Sequence, residues 1–236
     1  MRKSEVKKYY DNYINEQYSI GVNDRIFLMY EKLKSLGLSS TSSVIELGCG
    51  IGVVTHLIRK TVTVGKIESI DISGESIAFA KDKIKNDNVS FHQGDITEYT
   101  PKIKQADFVT LFDVIEHIPI ELHEKLFINV AKMLKNDGWL LLNIPSPESV
   151  KWDTQNAPEV LQIIDQPIPL ERIAKNCTML NDYAHKKDKK RTRKEKASGW
   201  TIGGRSRTRG ARFWGCRRRV PCRSRAATPR RRVTTE

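Results

Sequence analysis

Residues 44–52, Val-Ile-Glu-Leu-Gly-Cys-Gly-Ile-Gly, constrain this chain more than any other stretch. A β-branched run ending in closely spaced glycines reads as a buried strand that turns sharply into a helix. Glycine permits the positive φ such a turn needs and lets a ligand lie against bare backbone. Strand, tight turn and helix in this order are the opening unit of nucleotide-binding α/β sheets. Gly48, Gly50 and Gly52 give G-x-G-x-G. The nicotinamide pattern needs its third glycine at position 53, which is Val53, and a phosphate-clamping loop needs a Gly-Lys-Ser/Thr that is absent after the turn.

The surrounding pattern extends that unit. Residues 2–18 and 24–36 read as helices, and strand one runs over Ser43–Leu47. A helix is predicted at about 52–60, a strand at 66–72, a helix over "ESIAFAKDKIK", and a third strand in "NVSFHQ". "ADFVTLF" is nearly all apolar, as suits a strand buried on both faces. A helix from about Glu121 and a fifth strand in "WLLLNI" complete the series. Strands alternating with helices predict an α/β fold with a doubly wound, mostly parallel, Rossmann-like sheet.

Charge divides the chain in two. Residues 185–236 hold 20 Lys+Arg and 3 Asp+Glu, whereas residues 1–184 hold 21 Lys+Arg and 25 Asp+Glu. The formal net charge of +13 is therefore a property of the end of the chain. From Ala197 onward there are 12 arginines and no lysine, leucine or asparagine, whereas only Arg2, Arg25, Arg59 and Arg172 precede residue 185. Such a break is what a frame-shifted or fused end would leave. We expect a domain over 1–184 and a disordered basic tail over 185–236, too poor in apolar residues to fold. The functional alternative is an arginine-rich arm that binds nucleic acid. No run of 18 apolar residues and no signal-type apolar segment is present, so no membrane partner is expected. Cysteines at 49, 177, 216 and 222 have neither zinc nor redox spacing, and a cytosolic setting is expected.

Glu46, two residues before the first glycine, would repel a pyrophosphate lying on the loop and suits a ligand that is positively charged there. S-adenosylmethionine carries a sulfonium and an ammonium and no phosphate. Glu46 offers carboxylate oxygens towards the ammonium. Asp71, at the end of the second strand, stands where an acid accepts the ribose hydroxyls in doubly wound folds. Asp95 can accept from the adenine amino group, with Ile96 as an apolar wall. Taken singly, Asp71 could support a helix cap and Asp95 could be a turn residue. Together, at these spacings, they favour the cofactor.

"VIELGCGIG", "SIDIS", "GDI", "ADFVTLFDVIEHI" and "GWLLLNIPSP" resemble consecutive motifs of class I S-adenosylmethionine-dependent methyltransferases, closest in style to the small-molecule branch of the ubiquinone-biosynthesis enzymes. The resemblance covers about residues 40–147. It implies a seven-stranded sheet and cofactor contacts at Glu46, Gly48, Cys49, Gly50, Asp71, Ile72, Asp95, Ile96 and Phe112. It implies methyl transfer to a small hydroxyl, amine or carbon acceptor. Cys49 reads as a small loop filler rather than a nucleophile, because no basic residue flanks it in sequence. The family's closing antiparallel hairpin is expected to be lost, replaced or distorted, since no clean pair of alternating strands follows strand five.

After strand four, "FDVIEHI" holds Asp113, Glu116 and His117. His117 is the candidate general base and Asp113 a candidate to orient the acceptor. The bland alternative is that Glu116 and His117 only fix the turn. An acid-x-x-Glu-His string also resembles the metal site of RNA 2′-O-methyltransferases, but that site needs a histidine after strand five and "NIPSPESVKW" has none, so no metal is expected. A catalytically inactive cofactor fold with a nucleic-acid-binding arm is the alternative from another functional class. Tyr9, Tyr10, Tyr13 and Tyr18 are candidates for a lid over the cofactor, with simple helix packing as the alternative.

Overall fold

The structure is a computed structural model and describes residues 3–191, 200–203 and 211–218. The chain opens with helices α1 (Lys3–Asp11), α2 (Ile14–Ile20) and α3 (Asp24–Ser35), followed by β1 (Val44–Leu47), α4 (Val53–Thr61), β2 (Ile67–Asp71) and α5 (Gly74–Lys83). It continues through β3 (Val89–Gln93), β4 (Ala106–Phe112), α6 (His123–Met133), β5 (Leu134–Pro145), α7 (Pro147–Asn156) and α8 (Leu170–Arg191). β6 (Trp200–Gly203) and β7 (Ala211–Arg218) follow. The single helix expected over 2–18 is broken at Asn12-Tyr13. Side-chain caps set several helix starts: Asn23 accepts the Ile26 N–H, Ser73 that of Ser76, and Ser146 that of Ser149 ahead of α7.

The strands form one sheet in the order β3-β2-β1-β4-β5-β7-β6, with the first five parallel. This is the doubly wound arrangement the alternation predicts. The order reverses between β1 and β4, so the carboxyl ends of those strands open a crevice.

Alternation along the strands builds two cores. Ile45, Leu47, Val109, Leu111, Leu140 and Leu142 face α6 and α8, where Leu126, Phe127 and Ile173 meet them. Val44, Phe108 and Leu141 point the other way, onto Tyr30, Leu33, Leu57 and Ile58 of α3 and α4. Burial of each large aliphatic side chain contributes about 1.5–3 kcal/mol, and strands covered on both faces explain why these segments are almost wholly apolar. Glu46 shares the Val44 face and so points at α4. Its neighbours there are Thr55 and Ser69.

The far edge differs from expectation. The hairpin expected to be lost, replaced or distorted is present in the described sheet: β7 pairs antiparallel with β5 from Trp139↔Arg217 to Pro145↔Ala211, and β6 pairs with β7. The alternation rule missed these strands because β7 pairs through its backbone and its sequence has no regular apolar alternation. Helix α8 also runs across the expected boundary at 184/185. The rest of the expected disordered arm, 192–199, 204–210 and 219–236, lies outside the described residues. Among the described residues, no helix is long and apolar enough to cross a membrane.

Candidate functional site

The glycine turn occupies the crevice at the reversal point. Gly48 and Gly50 have φ of 78° and 51°, and a Cβ on Gly48 would come within 2.4 Å of Val114. Any other residue at Gly48 would be strained in backbone and in space.

The loop's amide groups are all used. Gly48 and Cys49 donate to the Ile70 carbonyl at 2.7 and 3.0 Å, and Gly52 donates to Cys49 at 2.9 Å. Gly50 donates to Asp71 Oδ2 at 2.7 Å, and Ile51 to Gln17 Oε1 at 3.1 Å. A phosphate cradle presents unpaired N–H groups to its anion. This loop presents none.

Acids flank the turn instead. Asp71 also accepts the Ser73 N–H through Oδ1 at 2.9 Å, and burial raises its carboxyl. A carboxylate has about four acceptor sites, so Asp71 retains acceptor capacity towards the cavity it lines with Ile72, Asp95 and Ile96. Asp95 Oδ1 accepts the N–H and hydroxyl of Thr97 at 2.9 and 2.7 Å. It therefore is the turn residue it resembles while also lining the cavity. On the other side of the loop, Glu46, Cys49 and Phe112 line a second cavity with Arg25. Glu46 is buried and accepts from Thr55 and, at 3.1 Å, from Ser69. Burial pushes its carboxyl up to about 7 despite those bonds. Burial likewise pushes the Cys49 thiol well above its ordinary value, which suits a loop filler and not a nucleophile.

Asp113 sits just after β4 with φ 55°, in a region L-residues rarely adopt. Three contacts hold it there. Its N–H donates to the Asn143 carbonyl at 2.8 Å, its Oδ1 accepts from Asn143 Nδ2 at 2.6 Å, and its Oδ2 pairs with Arg25 Nη2 at 3.0 Å. Burial raises its carboxyl, with the Arg25 guanidinium working against that rise.

His117 closes a 3-10 turn, Ile115–His117, and its ring is directed by the loop after α7. Nδ1 lies 2.5 Å from the Ile164 carbonyl. A carbonyl only accepts, so Nδ1 carries the proton and Nε2 keeps its lone pair in the neutral ring. Burial lowers the imidazole from its ordinary value. Glu116, 3.9 Å away, is fully buried with Oε2 unpartnered, and burial followed by the Asp113 charge raises it well above the usual carboxylate range. Burial thus works against the charged form of both groups and so against an ion pair between them. Gln166 donates to the Glu116 and Ile118 carbonyls at 3.1 and 2.8 Å and fixes the turn. Among the described residues, no group of three or more His, Cys, Asp or Glu side chains is arranged to hold a metal ion.

Four residues of the site carry no sequence signal. Gln17, Arg25, Gln162 and Ile164 come from the N-terminal helices and the irregular 161–166 loop, and only the fold brings them to the crevice. Tyr10 supports the lid expectation in one respect: it lines the crevice and donates to Gln162 Oε1 at 2.9 Å. Tyr9, Tyr10 and Tyr13 pack on one another, and Tyr18 is 66% exposed against Phe79.

A family model described as "Methyltransferase domain" matches residues 23–187. The mitochondrial ubiquinone biosynthesis O-methyltransferase of Candida albicans is 28% identical over 120 residues, covering 49% of this chain and 36% of that protein. A trans-aconitate 2-methyltransferase of Mycobacterium tuberculosis is 27% identical over 116 residues, covering 49% of this chain and 42% of that protein. The matched part thus spans less than half the length of these curated relatives. Among solved structures, magnesium protoporphyrin IX methyltransferase from Synechocystis PCC 6803 with bound SAH aligns at TM-score 0.67 and 16% identity, over 92% of this chain and 100% of that one. That likeness shows the fold.

Proposed function

The chain belongs to the methyltransferase-domain family, and from that premise we propose that it transfers a methyl group from S-adenosylmethionine to a small molecule whose accepting atom is a hydroxyl oxygen, an amine nitrogen or a carbon. The observation that carries this reading is the glycine loop itself. Its amides are spent within the protein, and carboxylates stand on both sides of it. Such a donor set rejects a pyrophosphate and suits a ligand with cationic and hydroxyl groups.

The residues fit the cofactor in three places. Asp71 would take the ribose hydroxyls, and Ile72 and Ile96 would wall the base, with Asp95 at its edge. Glu46, partly ionised near pH 7, would meet the ammonium in the cavity it lines with Gly48 and Gly50. Cys49 and Phe112 complete the wall on that side. S-adenosylmethionine supplies an electrophilic methyl group on a cationic sulfur and leaves as the neutral thioether.

The chain's own residues align the acceptor and manage its proton. Asp113, held by Asn143 and Arg25, lies between the two cavities and orients the acceptor's polar group. His117, neutral and with Nε2 as its free acceptor atom, takes the proton that the hydroxyl or amine loses on methylation. Neither Cys49 nor Cys177 is in a disulfide, and we place the reaction in the cytosol.

Calorimetric titration tests the reading. S-adenosylmethionine and S-adenosylhomocysteine should bind one site, and NAD should not. Equal binding of NAD would sink it.

A further inference from the structure

The crossover from β3 to β4, residues 94–105, has no helix or strand of its own, yet it presents Asp95 and Ile96 to the crevice. Irregular backbone has no ladder to hold it, so its polar groups must find other partners. One end of the crossover is tied to the ribose side of the site, where Gly94 donates to the Asp71 carbonyl at 2.8 Å. The rest is held by a residue that sequence reading passes over, Glu68.

Glu68 lies within β2 and is 1% exposed. Burying a carboxyl is costly unless it is hydrogen-bonded, and an apolar side chain would serve the sheet without that cost. Both of its oxygens are engaged, and the crossover supplies the donors. Oε1 accepts the Tyr99 hydroxyl at 2.8 Å and the Lys102 N–H at 2.9 Å, and Oε2 accepts the Ile103 N–H at 2.8 Å. Asn129 of α6 adds a second hold, donating from Nδ2 to the Ile96 and Tyr99 carbonyls at 3.1 and 2.8 Å.

Tyr99 carries this anchorage back to the turn that faces the crevice. Its N–H donates to the Asp95 carbonyl at 2.8 Å. Its ring lies on the bare face of Gly94, where a Cβ would come within 2.7 Å of Tyr99 Cδ2. The hydroxyl is thus pinned to Glu68 while the ring and the amide are pinned to Gly94 and Asp95. Among the described residues, the cavity lining takes in Asp95 and Ile96 but not Glu68, Tyr99 or Asn129.

We propose that Glu68 is a positioning residue for base specificity: through the Tyr99 strut it sets Asp95 where that carboxyl accepts from the adenine amino group, so that the site rejects a purine carrying an oxygen in its place. A site built to hydrogen-bond an N–H discriminates strongly against the analogue lacking it, because its own polar group is then left unpaired. Such discrimination needs the acceptor held in place, which an irregular crossover cannot do unaided. This inference rests on the cofactor reading above, in which Asp95 stands at the edge of the base.

The test titrates the full chain with two probes, S-adenosylhomocysteine and S-inosylhomocysteine, which differ only in the amino or oxo group of the purine. The wild type should prefer the adenosyl probe by about ten-fold or more, the size of a hydrogen bond to a charged group. Tyr99→Phe removes the hydroxyl's bond to Glu68 and keeps the ring on Gly94. It should shrink that preference about three- to ten-fold and leave affinity for the inosyl probe within about two-fold. Glu68→Gln, which sets an amide donor among the crossover's own donors, should shrink it at least as much. A carboxyl that is only structural would weaken both probes alike. A preference that stays or widens in Tyr99→Phe therefore overturns the proposal, and so does a wild type that binds the two probes equally. If the wild type binds neither probe, the cofactor reading itself fails.

Discussion

Asp71, at the end of β2, accepts the N–H of Gly50 at 2.7 Å and so ties the second strand to the glycine loop. One carboxylate thus shapes the loop and faces the ligand. Asp71→Ala should raise the dissociation constant for S-adenosylhomocysteine about ten-fold or more, since hydrogen bonds to a charged group contribute roughly 1.5–3 kcal/mol. It should also shrink the ligand-induced rise in Tm. Asp71→Asn keeps an oxygen for the Gly50 N–H and should recover the loop but only part of the affinity. An Asp71→Ala protein that binds as the wild type does would show the acid to be structural only.

Glu46 gives a pH dependence with a definite sign. Its carboxyl titrates near 4.5 when unfolded and is pushed up to about 7 by burial in the folded chain. Between those values the folded state holds a proton that the unfolded state has lost. Stability of the free protein from this group is therefore full below about pH 4.5, falls as pH rises towards 7, and is level above. The loss is of order a few kcal/mol at most. A cationic ligand favours the ionised form, so S-adenosylmethionine should bind more tightly at pH 8 than at pH 6. Glu46→Gln should flatten both curves, measured by thermal melts and titration calorimetry across that range.

His117 separates chemistry from binding. If Nε2 takes the acceptor's proton, His117→Ala should lower kcat about 100-fold or more and leave cofactor affinity within about two-fold. Because burial lowers its pKa, kcat should hold its plateau below pH 6.5 and fall only on further acidification. His117→Ala should remove that acid limb. A parallel loss of cofactor binding and turnover would instead assign His117 to the turn it closes.

The sheet was legible because each of its five parallel strands carries its own signal. Leu140, Leu141 and Leu142 must be apolar to satisfy two cores, and Gly48 must be glycine to pass Val114. The acids were legible by spacing, since Glu46 stands two residues before the first glycine, Asp71 ends β2 and Asp95 follows β3. The partners that set their chemistry were not. Gln17 and Ile164 act through one carboxamide oxygen and one carbonyl, groups found throughout any chain, and only tertiary packing brings them to Ile51 and His117. Asp113 is legible as a candidate to orient the acceptor, but its positive φ and its hold by Arg25 and Asn143 leave no mark in the sequence.

The edge at β5 yields the last prediction. Leu140, Leu141 and Leu142 are all but fully buried, and β7 provides the backbone partners along that side of β5. The covering strand comes from the segment whose composition breaks from the rest of the chain. A chain ending at residue 191 keeps α8 but loses β6 and β7, and it bares a long apolar strand whose unpaired N–H and C=O groups invite pairing with another chain. The cofactor crevice lies away from that edge, around the ends of β1, β2 and β4. Truncation after 191 should therefore leave S-adenosylhomocysteine affinity within about two-fold, lower Tm, and cause concentration-dependent association, read by calorimetry, thermal melts and light scattering. Adding a charge to the bared edge, as Leu141→Lys would, is no remedy because that side chain packs on α3 and α4. A truncated chain as stable and as monodisperse as the full one would mean that β7 contributes nothing to covering β5.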